Sequence, residues 1–412
     1  MTTISRSTRT TILGAISAPL AVFAAGPSLA ILAAMAFVSN LGVGLMGPLI
    51  PLFGVSVGAT PAQLGLVTSA FALMNAAGAI GTGLLVKRLG ARAFIGAGIG
   101  TYAVANFAVA IVRDAAGLIA SRAAAGLGTG AGMVGRRIYL TDSTDPRRLA
   151  FANGVLSAAD AAGQVAGPAI GGVLFMMADL RLPFIVVGVT SALAFLGSLA
   201  LPRADTQEVE ESEVAEDGPA SVINRSSVLL LLGQLLVLAG YGMVITVWSP
   251  FATTILNWPV LEVAIVFSIF GAGSIVLGPP LAALADRTSR RRVAALGVVP
   301  LVVWNIALVA QAPRPVLYGI TLIAGGGFTA FEAAWYALLS GASPSNRRSQ
   351  TMAIVVAISN LGIILGATGS TLVWEAAGIT QAMLLTVVPL SAASLALLAL
   401  PAGGEHRSGA TR

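Results

Sequence analysis

Three ionisable side chains interrupt long apolar stretches of this chain and are its clearest candidates for chemistry. They are Arg122, Asp160 and Glu332. A charge near the middle of a bilayer costs about 2.5–3.5 kcal/mol on insertion scales, so each is a functional candidate. Burial disfavours the charged form of a carboxylic acid. The residues therefore predict proton binding and release, with Asp160 as the first candidate, Glu332 as the second and Arg122 biasing the acid that it approaches.

Each of these assignments has an alternative. At 1.5 Å per residue, Arg122 and Asp160 differ by on the order of 12 Å along their helices, which favours a pair that forms in one conformer only. Alternatively, Arg122 is a fixed charge bonded to backbone carbonyls. Glu332 is followed by Trp335 and Tyr336, and an acid among aromatic rings can hold an organic cation. These two rings are alternatively interface aromatics, which we expect for Tyr336.

The composition places these residues in a membrane protein. The chain has 412 residues, of which 56% are hydrophobic and 10% charged, with a mean hydropathy of +0.90; a soluble domain carries roughly 25% charge. Cys is absent and the one His, His406, lies in a polar tail. We therefore expect no disulfide, metal or other cofactor. The net charge of +6 forms no basic stripe with aromatics, so we expect no nucleic-acid partner.

Twelve apolar stretches are long enough to span a bilayer, and backbone polarity requires them to be helices. They run approximately over 29–52, 62–84, 92–112, 115–138, 150–176, 181–200, 228–252, 261–283, 293–311, 316–340, 351–374 and 379–400. All 23 Lys and Arg residues except Arg113, Arg122, Arg181 and Arg314 fall in segments that then share one side. This bias predicts a multi-pass protein of the cytoplasmic membrane with both termini in the cytoplasm.

The two halves of the chain repeat each other. A shift of 199 residues places Ser69 on Ser268, and a shift of 200 places Asp160 on Asn360. Such a repeat in an apolar chain is typical of transporters built from two bundles. The predicted organisation is an N-terminal segment (1–28), a six-helix bundle (29–201), an acidic cytoplasmic linker (202–227), a second six-helix bundle (228–400) and a tail (401–412). The N-terminal segment is predicted to be an uncleaved interfacial helix rather than a signal peptide.

Three motifs occur in order along the chain. The link after the second span contains Lys87-Arg88-Leu-Gly90, repeated as Asp286-Arg287. The fourth span begins its motif at Arg122, and the fifth contains Gly163, Gly167, Pro168 and Gly171. Together they resemble the major facilitator superfamily, in its twelve-helix drug:proton antiporter branch. The resemblance covers nearly the whole chain and implies an all-α membrane fold of two pseudo-symmetric six-helix bundles.

The resemblance implies gating and helix-packing roles for these loop and helix-5 residues. Glycines four residues apart let another helix approach closely, and Pro168 adds a flexible point. The chain departs from the family pattern at Lys87, where an acid is expected. The acid survives only as Asp286, so either Asp286 holds the gate, Lys87 pairs with another acid, or Lys87 is a solvated loop charge.

Polar and aromatic residues within the spans are candidates for a substrate cavity. They are Asn40, Asn75, Gln164, Tyr241, Trp248, Trp335 and Asn360. Most could instead form interhelical hydrogen bonds of about 0.6 kcal/mol each, so we expect half or fewer to touch a substrate.

The predicted function is proton-driven export of a small, largely apolar organic compound by alternating access. The partners would be that compound, protons and the lipid bilayer, with the protein acting as a monomer. One alternative is proton-coupled uptake of a nutrient on the same scaffold. Another is a membrane receptor or enzyme, although no Ser/His/Asp set, metal cluster or phosphate-binding loop supports it.

Overall fold

The computed structural model describes residues 27–145, 147–202, 225–342 and 348–400; within them, the side chains of 150, 225, 286, 341–342 and 348–353 are left out. The N-terminal segment, the acidic linker, the tail and the Asp286 side chain thus lie outside the described residues, apart from the first segment's last two residues and the ends of the linker. The described residues form fourteen helices: α1 Pro27–Ser56, α2 Pro61–Leu89, α3 Ala91–Ile111, α4 Ala115–Ser143, α5 Leu149–Met177, α6 Leu182–Ser198, α7 Arg225–Thr254, α8 Val260–Val276, α9 Gly278–Arg287, α10 Arg290–Val309, α11 Arg314–Ala342, α12 Arg348–Ala377, α13 Ile379–Leu385 and α14 Val387–Leu398.

Each of the twelve predicted spans contains a helix. Within the described residues, eight spans are long and apolar enough to cross a membrane, counting α13 and α14 as one. A ninth is formed by α8 and α9 together, which bend by 46° where they meet. The remaining three are α4, which carries three arginines, α5, which carries Asp160, and α6, which has 17 residues.

The helices pair in the same way in both halves. In the first half, α1 packs along α5, α2 along α4, and α3 along α4. The second half repeats these pairs as α7 with α12, α8 with α11, and α10 with α11. Each half has its own apolar cores. The structure is therefore the all-α, two-bundle fold that the internal repeat predicts.

The α1–α5 pair is close because glycines of α5 face α1. A Cβ at Gly167 would lie 2.5 Å from the Leu41 carbonyl oxygen, and one at Gly163 would lie 2.7 Å from the Leu41 nitrogen. At Gly171 it would lie 2.9 Å from the Leu45 side chain. Only glycine lets the two backbones approach this closely.

Pro168 lies inside α5 and has no N–H to donate to the carbonyl of Gln164. Gly44 of α1 packs on this carbonyl, since a Cβ there would lie 2.5 Å from the Gln164 oxygen. The glycine thus places its Cα–H groups against the carbonyl that the proline leaves free, a weak but favourable contact.

One end of the molecule, here the basic end, carries exposed Lys87, Arg88, Arg148 and Arg287. There α2 and α3 are joined by Gly90 alone, which has a φ of 77° and donates its N–H to the Val86 carbonyl at 2.8 Å.

The two halves meet toward the other end, here the distal end. Ser69 of α2 lies 3.1 Å from the Thr368 hydroxyl of α12, and Thr246 of α7 donates to Thr68 at 3.0 Å. Toward the basic end, α5 is exposed at Ser157. Among the described residues, the two halves therefore close at the distal end and leave α5 exposed toward the basic end.

Candidate functional site

Two other helices hold the Asp160 carboxylate on α5. Asn40 of α1 donates from Nδ2 to Asp160 Oδ1 at 2.6 Å, and Arg137 Nη2 of α4 lies 3.4 Å from Oδ2. Arg136 is buried and acts on the same carboxylate electrostatically. An amide donor and two nearby guanidinium groups thus face this carboxylate. We expected Asn40 in a substrate cavity, but the structure places it in this cluster.

The Arg137 side chain lies along α5 and contacts three of its residues, an arrangement called here the arginine clamp. Its guanidinium donates to Asn153 at 3.2 Å and to Ser157 at 3.3 Å, in addition to Asp160. These three residues lie about one turn apart on α5. Sequence reasoning treated Arg136 and Arg137 only as basic residues of the inner side. The signal that could have found them is the apolar Ile-Tyr-Leu sequence after Arg137, which continues the helix past both arginines.

Arg122 has different neighbours. It is buried, its Cζ lies 4.4 Å from the centre of the Phe71 ring, and Tyr102 is within electrostatic range. Its Nη1 has no hydrogen-bond partner among the described residues. In this conformation Arg137, and not Arg122, pairs with Asp160. Pairing of Arg122 in another conformer stays a prediction.

Glu332 of α11 lies in an aromatic setting. Tyr241 and Tyr336 are close enough to interact with its charge, and the Tyr241 ring stacks on Phe328 with centroids 6.4 Å apart. Within the described residues, no ion pair or hydrogen bond to Glu332 is formed. The two acids therefore have opposite environments, one with guanidinium partners and one among rings.

Two predicted cavity residues, Trp335 and Trp248, are buried in the apolar core in this conformation. Trp335 is 0% exposed and donates its indole N–H to the Leu230 carbonyl at 2.8 Å. Trp248 is 1% exposed and packs edge-on against Trp258 and Trp304. Large rings fill space inside a bundle, so their position within a span did not indicate cavity lining. Tyr336 is 42% exposed, and its position at the membrane interface stays a prediction.

The other predicted cavity residues are more open. Asn75 and Tyr241 are half-buried and Gln164 is exposed. Asn360 donates to the Val356 carbonyl of its own helix at 2.9 Å. Among these residues, the structure places Tyr241 beside Glu332.

The geometry agrees with a match to known sequences. The profile described as the Major Facilitator Superfamily matches residues 32–232 and 230–411, which is most of the chain. The chain belongs to the Major Facilitator Superfamily. It is therefore a multi-pass membrane protein.

Relatives of this superfamily member include the quinolone resistance protein NorA of Staphylococcus aureus. It is 32% identical over 165 residues, which cover 40% of this chain and 42% of NorA. An uncharacterised MFS-type transporter of Methanocaldococcus jannaschii is 29% identical over 164 residues, covering 40% and 41% of the two chains. The chain thus matches about two-fifths of the length of these relatives.

Solved structures of other transporters share the fold. The nucleoside transporter NupG superposes with a TM-score of 0.76 at 14% identity, covering 91% of this chain and 99% of NupG. A bacterial homologue of the human lysosomal transporter Spinster, inward-facing and unoccupied, gives 0.74 at 18% identity, with 90% and 95% covered. At these identities the similarity shows the fold alone.

A separate apolar groove of about 860 Å³ lies on the superfamily fold between α3, α4 and α6. Small residues such as Gly100 and Ala124 line it, together with Phe195. It contains none of the predicted site residues.

Proposed function

We propose that this chain is a proton-coupled exporter of a small, largely apolar organic compound and works by alternating access. The observation that carries the proposal is the contrast between its two membrane acids, Asp160 with arginine partners and Glu332 among aromatic rings. The similarity to NorA, which is named a quinolone resistance protein, supports efflux as the direction of transport. The Gly163-to-Gly171 motif, which resembles that of drug:proton antiporters, supports the same direction.

Their surroundings suggest different roles for the two acids. An ionised carboxylate without a partner is costly in a bilayer, so Glu332 binds a proton readily. Asp160 is compensated by Arg137 and Arg136, and protonating it would leave two cations unbalanced. This contrast supports Glu332 as the first candidate for the proton carrier and Asp160 as the second, the reverse of the order expected from sequence.

Export then follows from competition at Glu332. In the conformation open to the basic end, which we place in the cytoplasm, a proton leaves Glu332 and the compound enters. A positively charged centre on the compound would replace the proton between the carboxylate and the Tyr241 ring. Exchange of one proton for one cation moves no net charge, so the pH difference drives it, and one pH unit supplies about 1.4 kcal/mol, enough for roughly tenfold accumulation.

Inverted vesicles loaded with acid test the proposal, with a fluorescent quinolone as the probe. We expect the quinolone to enter vesicles whose interior is acid. Glu332→Gln should abolish this accumulation and weaken quinolone exchange, and the remaining exchange should not depend on pH, since the neutral amide imitates the protonated acid with which the compound competes. Asp160→Asn should reduce both rates, because the arginine clamp loses its anion. Glu375→Gln, an exposed acid at the distal end, is the matched control and should behave as the parent.

Three results would contradict the proposal. Expulsion of quinolone by internal acid would indicate proton-coupled uptake. Binding without transport at any gradient would indicate a receptor. Exchange that no longer depends on pH in Asp160→Asn, with pH dependence kept in Glu332→Gln, would return the proton to Asp160.

A further inference from the structure

A hydroxyl of the second half bonds to the N–H and the carbonyl of one backbone i→i−4 position, or rung, in a helix of the first half. The N–H of Ala169, on α5, donates to the Ser268 hydroxyl of α8 at 3.1 Å. The same hydroxyl donates to the Val165 carbonyl at 3.3 Å. Residues 165 and 169 are the partners of one i→i−4 rung, next to the rung that Pro168 cannot form.

Close packing brings the hydroxyl to the backbone. A Cβ at Gly271 of α8 would lie 2.6 Å from the Val165 side chain, and one at Gly172 of α5 would lie 2.8 Å from Ala264. Glycine on both helices thus lets α5 and α8 touch on either side of Ser268.

We propose that Ser268 is a positioning residue for alternating access, which bonds to the Ala169 N–H and the Val165 carbonyl beside Pro168 only while the distal end is closed. When the halves part there, the hydroxyl withdraws and leaves the Ala169 N–H and Val165 carbonyl to close their own rung or to meet water. A bilayer interior offers few other partners for such groups. Ser268 therefore stabilises the closed state directly.

The internal repeat shows why this contact between a serine and a helix backbone occurs at the crossing of α5 with α8 and not at that of α2 with α12. Ser69 is the repeat partner of Ser268 and lies at the matching crossing of α2 with α12. It contacts the Thr368 hydroxyl at 3.1 Å and the Ile364 carbonyl at 3.5 Å. Thr368 stands where Pro168 stands in the first half, so α12 keeps its own backbone rung and Ser69 contacts side chain and carbonyl only.

Spin-label distances across the distal end test the inference. The chain has no Cys, so Arg113→Cys and Ala376→Cys, both exposed at the distal end on opposite halves, can be labelled alone. We expect Ser268→Ala to raise the ratio of the population at the longer distance to that at the shorter distance by about three- to tenfold, because one hydrogen bond is lost. Ser274→Ala removes an α8 hydroxyl whose bonds stay within the second half, and should leave the ratio unchanged.

A second comparison separates this role from a general loss of packing. In a Pro168→Ala background α5 regains its N–H, so adding Ser268→Ala should change the ratio by less than in the parent. Ser69→Ala should shift the ratio less than Ser268→Ala. An unchanged distribution in Ser268→Ala, or an equal effect with and without Pro168, would overturn the proposal. The inference rests on the alternating access proposed above, but the distances need no transport, so it fails or stands separately from proton coupling and export.

Discussion

Arg137 is the residue through which α4 reaches the open part of α5. Its side chain is 42% exposed and that of Asp160 is 25% exposed, so the pair lies at the edge of the open region rather than in a sealed core. Water partly screens such a pair, and its strength lies between that of a surface bridge and that of a buried one. Its geometry matters because Asn40 fixes the other carboxylate oxygen.

A double-mutant cycle should detect this pair. We expect the changes in the free energy of unfolding caused by Arg137→Gln and Asp160→Asn to be non-additive, with a coupling of about 1 kcal/mol. Thermal unfolding in detergent measures these changes. Arg148 is exposed at the basic end, and Arg148→Gln combined with Asp160→Asn should be additive. Additivity in the Arg137 cycle would mean that the ion pair contributes nothing to stability.

At the residue scale, the sequence identified acids but not their partners. Asp160 and Glu332 stand out because charges are rare inside apolar spans. The partner of Asp160 lies 23 residues away on another helix, and which face of α4 meets α5 depends on packing. Trp335 shows the same limit, because its burial in the core depends on the packing of α11 against α7, which its position three residues after Glu332 does not indicate.

At the element scale, α5 is shaped by small residues on one face. Its glycines bring α1 close near Leu41, and Pro168 exposes a carbonyl to Gly44. The four-residue spacing of the glycines predicted a close helix neighbour from sequence alone. It could not say that the neighbour is α1, because every helix of a bundle is a candidate.

The close contact of the α5 glycines with α1, called here the glycine seam, predicts how substitution of a glycine changes stability. Gly167→Ala would place a Cβ 2.5 Å from the Leu41 carbonyl oxygen, so we expect a loss of about 1–3 kcal/mol and a lower unfolding midpoint in detergent. Gly154→Ala is the matched control on the same helix, because nothing lies within 4 Å of its Cβ. It should be neutral or stabilising, since Ala is the better helix former. Equal unfolding midpoints for the two variants would show that close packing of α1 on α5 does not require glycine at position 167.

At the scale of the whole molecule, the repeat and the apolar spans predicted the two-bundle fold. The conformation could not be predicted, because both states of such a transporter have the same sequence and the same helices. The distal closure depends on contacts such as Ser69 with Thr368, which only the assembled halves show.

The orientation in the membrane is testable with single cysteines. In intact cells, a membrane-impermeant maleimide should label Ala376→Cys at the distal end and leave Arg148→Cys at the basic end unlabelled. Inverted vesicles should give the reverse pattern. Labelling of Arg148→Cys in intact cells would place the basic end outside and reverse the direction proposed for transport.

The distal closure has an electrical consequence. Among the described residues, neutral hydroxyls and glycines join the two halves there, while the ion pairs Arg137–Asp160 and Arg314–Glu262 stay within single halves. Opening this end separates no opposite charges, so ionic strength has nothing to screen and the membrane voltage does little work on the gate itself. Opening does admit water, so solutes excluded from the crevice should favour the closed state. We therefore expect the gate to respond to hydration rather than to ionic strength or voltage.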